Sequence, residues 1–153
     1  MAPREVSHIS RHLVSVSSAV RTRISDGLRE RGHRLTVSVS HLVPNLPAEG
    51  LGMSALAERA GLSIQRAGQL VQQLEDDGYL TRVPDARDGR ARRVVYTRRG
   101  QKLLGDIEAL QVEITEQLDE ILGKQRTEQL LVDLAELDRE LNRSESGVRV
   151  VTG

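Results

Sequence analysis

The sequence predicts a mainly α fold with a small β-hairpin, a winged helix-turn-helix flanked by N- and C-terminal dimerisation helices. Three observations carry that expectation. Long apolar stripes at three- and four-residue steps open and close the chain. Between them lie two shorter helical stretches separated by Gly61. Directly after the second, the segment from Thr81 to Arg99 holds seven arginines and two aspartates, a local charge of +5 in a chain whose total is zero.

Ile9, Leu13, Val16, Val20, Ile24 and Leu28 form one face of a first helix, which Gly32 ends. Arg34 to Val43 reads as a second, shorter helix closed by Pro44 and Pro47, although its Val, Thr and Ser content is unfavourable to helix. Gly50 to Met53 is a short extended piece. Ser54 is expected to cap the next helix, with Ala55, Leu56, Ala57 and Ala60 inward. Ser63 caps a longer one, Ile64 to Asp77, stopped by Gly78. Its inner face is Ala67, Leu70, Val71 and Leu74. Tyr79 to Val83 and Arg93 to Tyr96 read as hairpin strands about an Asp88-Gly89 turn. Thr97 caps a helix with Leu103, Ile107, Leu110, Ile114, Leu118 and Ile121 in a stripe. After Gly123, Leu130, Leu134, Leu137 and Leu141 form another. The expected divisions are a dimerisation helix (1–33), a DNA-binding domain (34–100), further dimerisation helices (101–143) and a flexible tail (144–153). The terminal stripes exceed what one small core needs, and a homodimer buries the excess most simply.

Composition narrows the function. The chain has no Cys, Trp or Phe, and only Tyr79 and Tyr96 are aromatic. Thiol catalysis, thiol sensing and Cys-based zinc sites are therefore excluded. There is no nucleophile–base constellation, phosphate loop or metal triad, so an enzyme is not expected and no cofactor is implied. His8 and His12 have metal-compatible spacing, but only Glu5 lies near, and no metal site is expected. No apolar run approaches a membrane span of ~20 residues. Nothing behind Met1-Ala2-Pro3-Arg4 resembles a signal peptide, so a soluble cytoplasmic protein is expected. From Gly105 to Asn142 eleven acids oppose three bases, which should turn that surface away from phosphate.

The wing pattern Arg82-x-Pro84-Asp85-x-Arg87-Asp88-x-Arg90, followed by Val94-x-x-Thr97-x-x-Gly100, resembles the MarR (multiple antibiotic resistance regulator) family. So does Met53-Ser54-x-Leu56-Ala57 through Leu62-Ser63 to Leu70-Val71-x-x-Leu74-x-x-x-Gly78-Tyr79-Leu80. The order and spacing of these fragments extend the resemblance from about Ser7 to Asn142. It implies a homodimeric transcription factor, usually a repressor, that binds double-stranded DNA and often releases it on binding a small anionic or phenolic effector. The recognition helix (63–77) departs from the family at Gly68-Gln69, commonly Ser or Thr then Arg, and at Gln73, often Arg. Arg66 is its only base.

The recognition helix is expected to enter the major groove by its N-terminal half. Gln65, Arg66, Gln69 and Gln72 are expected on base edges, glutamine suiting adenine N6 and N7, against the alternative that the glutamines merely solvate an exposed face. Ser63 and the free amides behind it suit a phosphate, and Gly68 permits close approach. In the wing (84–93), the resemblance implies that Arg90 reaches the minor groove. Arg87, Arg92 and Arg93 are expected on phosphate, and Asp88 is expected to hold the turn, pairing with Arg87 or an arginine of the recognition region. The bases Arg98 and Arg99 oppose the dipole of the helix they open, suggesting an anionic counterpart. Arg11, His12, Ser15, Arg23 and His41 are candidates for the effector pocket, against the alternative of ordinary surface positions. A competing reading is a winged-helix protein-interaction module with weak or no specific DNA binding.

Overall fold

Leucine, valine and alanine at helical spacing bury one face of each of the two central helices, and glycines follow their ends. The computed structural model of the chain describes residues 8–35, 42–85, 88–89 and 91–146. Its elements run α1 (Ile9–Glu30), a 3-10 turn (Val43–Asn45), β1 (Leu51–Gly52), α2 (Met53–Arg59), α3 (Ile64–Asp76), β2 (Leu80–Pro84), β3 (Arg92–Tyr96), α4 (Arg98–Leu122) and α5 (Lys124–Ser146). The chain divides into two compact units, Met1–Leu110 and Gln111–Gly153.

The first unit is built on one apolar core. Leu28 from the end of α1, Leu56 of α2, Leu70, Val71 and Leu74 of α3, Leu80 and Val94 of the sheet and Leu103 of α4 are all buried in it. Each such side chain contributes about 1.5–3 kcal/mol by leaving water. Both tyrosines join this core and use their hydroxyls within it. The Tyr96 hydroxyl donates to the carbonyls of Val43 and Leu46, at 3.3 and 3.2 Å. Burial pushes its pKa up to about 12.

The sheet has three antiparallel strands in the order β1-β3-β2. β2 and β3 pair with Leu80 opposite Tyr96, Arg82 opposite Val94 and Pro84 opposite Arg92. Pro84 lacks an N–H and sits at the strand's end, where a missing donor does least harm. β1 pairs Leu51 with Val94 and Gly52 with Arg93. A two-residue strand is too short for a period-two signal, which is why only an extended piece was legible. Its approach depends on Gly50, which has φ +85°. A Cβ there would stand 2.5 Å from Val95 Cγ1 and 2.6 Å from the Val94 carbonyl oxygen.

Several expected boundaries shift. The expected helix at Arg34–Val43 falls mostly on residues 36–41, outside the described residues. At its described ends Arg34 and Leu35 are not helical, and Pro44 lies inside the 3-10 turn. Gly52, rather than Ser54, is the N-cap of α2, whose first helical residue is Met53. Ser63 does cap α3, accepting from the Arg66 amide at 3.1 Å. Thr97 Oγ1 likewise accepts from the Gly100 amide at 3.1 Å as α4 begins.

In the second unit, Gly123 separates the end of α4 from α5 with φ +82°. Among its described residues Thr127 and Ile114 are buried. Helix continues through Ser146, three residues into the stretch expected to be a tail. Leu131, Leu134, Leu137 and Leu141 of α5 are exposed. Within the first unit, Ile9, Leu13 and Val16 of α1 are exposed as well. Among the described residues no helix is long and apolar enough to cross a membrane.

Candidate nucleic-acid interface

α2, the turn at Gly61 and α3 form a helix-turn-helix, and β2 and β3 form the stem of the hairpin that follows. α3 buries Ala67, Leu70, Val71 and Leu74. That leaves Gln65, Arg66, Gln69, Gln72 and Gln73 exposed, and Gly68 partly so. A Cβ added at Gly68 would meet nothing within 4 Å, so this stretch of helix is open. Arg66 Nη1 donates to Gln69 Oε1 at 3.3 Å, joining the two along the helix.

Gln72 is engaged differently. Its Nε2 donates to Asp76 Oδ1 at 3.0 Å, and its Oε1 accepts from Arg82 Nη1 at 3.3 Å. The same Arg82 nitrogen lies 2.9 Å from Glu75 Oε2. Arg82 thus bridges β2 and α3, a contact that sequence reasoning missed. The available signal was charge alone: an acid near the end of one predicted element and a base within the next.

The wing's stem is closed by backbone bonds from Asp85 N to Ala91 O and from Ala91 N to Asp88 O, both 2.9 Å. Asp88 and Arg92 are exposed. Arg87 and Arg90 lie outside the described residues. Arg93 is half-buried and tied to the turn before β1. Its Nη2 donates to the carbonyls of Glu49 and Gly50, at 3.1 and 2.6 Å, and its Nε is buried. Arg98 and Arg99 are exposed, and Arg99 is also engaged within the fold. Its guanidinium lies 4.6 Å over the Tyr79 ring and donates to that hydroxyl at 3.2 Å.

Of the effector candidates, Arg11, His12, Ser15 and Arg23 are exposed along α1. Arg23 donates to the Ala19 carbonyl at 3.3 Å. His41 lies outside the described residues. A small apolar pocket within the first unit is lined by Leu42, Val43, Leu46, Leu74, Tyr79, Leu80, Tyr96 and Leu103, and Arg11, His12, Ser15 and Arg23 are not among its lining residues. Among the described residues no three His, Cys, Asp or Glu side chains gather as a metal would require.

A recognition-type helix standing beside an arginine-bearing antiparallel hairpin defines the winged helix-turn-helix class of protein. The MarR family model matches residues 46–91, from the 3-10 turn's end into the wing. A transcriptional regulator from Thermotoga maritima is 28% identical over 90% of this chain and 96% of its own, with a TM-score of 0.59. A MarR-family regulator from Rhodococcus sp. RHA1 is 24% identical over 89% and 97%, with a TM-score of 0.64. The MepR protein of S. aureus, in a structure solved with DNA, is 21% identical over 86% and 98%, with a TM-score of 0.63. No curated protein sequence matches the chain. Residues 46–91 are thus similar to the MarR family model, and the chain shares the winged helix-turn-helix fold of these transcriptional regulators.

Proposed function

We propose that the protein is a homodimeric, sequence-specific DNA-binding transcriptional regulator that represses by occupying a pseudo-palindromic operator. One observation carries the reading: the core-free face of α3 offers Gln65, Arg66 and Gln69 to solvent beside a segment with a local charge of +5. Helix and hairpin are the two parts of such a fold that meet the major groove and the flanking backbone. The MepR–DNA complex supports the same use of the fold.

In this reading Gln65, Arg66 and Gln69 meet base edges, with Gly68 allowing approach. The Ser63 cap leaves the first amides of α3 for a phosphate. Arg92 meets phosphate, as do Arg87 and Arg90 from the part of the wing outside the described residues, Arg90 reaching into the minor groove. A narrow minor groove over A·T-rich sequence draws such an arginine. The exposed Ile9, Leu13 and Val16 of α1 and Leu134, Leu137 and Leu141 of α5 support a dimer, since a monomer leaves them in water. Release by a small anionic or phenolic compound completes the reading, with Arg11, His12, Ser15, Arg23 and His41 as the residues to take it.

Selection of bound duplexes from a random pool tests the proposal. A recovered pseudo-palindrome with half-sites about ten base pairs apart supports it. Equal retention of selected and random duplexes would defeat it in favour of a protein-interaction module.

A further inference from the structure

Two arginines brace the wing from opposite faces of the hairpin. Arg82 stands opposite Val94, and Arg93 stands opposite Val83, one step along. Adjacent cross-strand pairs point to opposite faces of a sheet. Arg82 reaches α3, where one nitrogen serves both Glu75, at 2.9 Å, and Gln72, at 3.3 Å. Arg93 reaches the turn before β1 through the Glu49 and Gly50 carbonyls.

We propose that Arg82 is a positioning residue for DNA reading: it fixes the wing on the recognition helix through Gln72 and Glu75, so Gln72 holds the wing instead of reading a base. The inference rests on the DNA-binding reading above and deepens it. A glutamine that reads adenine must present its carbonyl and amide together to N6 and N7. Gln72 has both ends occupied, the carbonyl by Arg82 and the amide by Asp76. Reading a base would require it to leave both partners. Gln65, Arg66 and Gln69, one to two turns earlier, keep their exposed face, and among the described residues no bond ties them to the strands. Base reading is therefore confined to the N-terminal half of α3, and the second half registers the wing. The ion pair suits this task because it is only partly open to water, with side-chain exposures of 30% for Arg82 and 17% for Glu75.

The test uses the full-length chain, the duplex it selects from a random pool, and single-base-pair variants of that duplex. Gln72→Ala is expected to weaken binding about two- to tenfold to every duplex alike, leaving base preference unchanged. Arg82→Gln should weaken it at least as much. Arg82→Lys, which retains the charge opposite Glu75, should recover part of the loss. The double variant Gln72→Ala/Arg82→Gln should be no weaker than Arg82→Gln alone. In the DNA-free protein, Arg82→Gln should speed amide exchange across residues 80–96. A loss confined to one base pair in Gln72→Ala, no loss at all, or independent losses that multiply would overturn the proposal. Unchanged exchange in 80–96 would overturn the brace. A wild-type chain that selects no duplex defeats the DNA-binding reading instead, and the exchange measurement still decides the brace separately.

Discussion

His33 Nε2 lies 2.7 Å from Asp106 Oδ2, joining the segment after α1 to α4. The other ring nitrogen, Nδ1, is 3.2 Å from the Tyr79 hydroxyl, which also accepts from Arg99. A buried imidazole thus has both nitrogens engaged, and three parts of the first unit meet there. Burial without those partners would carry the full penalty of an unmet polar group.

Asp106 should therefore matter to stability in a pH-dependent way. Its carboxyl is held below the usual carboxylate range, first by the hydrogen bond from Lys102 and next by that from His33. The stabilisation is present above the ordinary carboxylate value, near ~3.9, and is lost as pH falls through the depressed one. Asp106→Asn is expected to cost about 1–3 kcal/mol at neutral pH. Urea unfolding should show the gap between the two proteins closing below about pH 4. A gap that widens on acidification would contradict this arrangement.

Gly100→Ala tests the junction of wing and α4. A Cβ there would stand 2.1 Å from the Tyr79 carbonyl oxygen. That carbonyl already accepts from the Thr97 amide at 3.0 Å, so it has little freedom to move aside. Overpacking against fixed backbone should lower stability by about 1–3 kcal/mol, visible as a lower denaturant midpoint.

The proposed DNA contacts divide by what they read. Arg66→Ala or Gln69→Ala should cost about 1–3 kcal/mol and relax preference at one position of each half-site. Arg92→Ala should weaken all duplexes evenly and reduce the salt slope by about one. Arg90→Ala should cost about 1–3 kcal/mol while leaving the oligomeric state intact. Anisotropy titrations at several salt concentrations separate these outcomes.

The helical surfaces make a further contrast. Leu134 is 40% exposed, whereas Ile114 is 7% exposed. Leu134→Glu should dissociate the proposed dimer while keeping helix content, because its charge remains hydrated in the monomer. Ile114→Glu should instead destabilise the second unit itself by more than about 2 kcal/mol, since its charge is buried unpaired. Sedimentation velocity with circular dichroism distinguishes the two.

Local pattern carried much of the fold. Ser63 and Thr97 were legible as caps because each precedes an apolar helical pattern, and the two strands about Asp88-Gly89 were legible from composition and turn chemistry. Ser54 was misread because Gly52, already extended, lets α2 start a residue before it. The exposed face of α3 was legible: Gln65, Arg66 and Gln69 follow from placing its inward residues. Gln72, Arg93 and Arg99 look the same as their exposed neighbours in sequence. Their partners are Arg82, the Glu49 and Gly50 carbonyls, and Tyr79, none of which a helical period connects to them.

By itself the amino-acid order determined which stretches form helices, where glycine and serine end or begin them, and which face of each is apolar. Those are properties of short windows, set by side-chain spacing and backbone freedom. Only the folded chain decided which charges are engaged. His33 meets Asp106 across 73 positions, and Arg93 meets Gly50 across 43. Such pairings depend on packing that brings distant segments within 3 Å, where desolvation makes an unmet charge or donor costly and selects one partner over water.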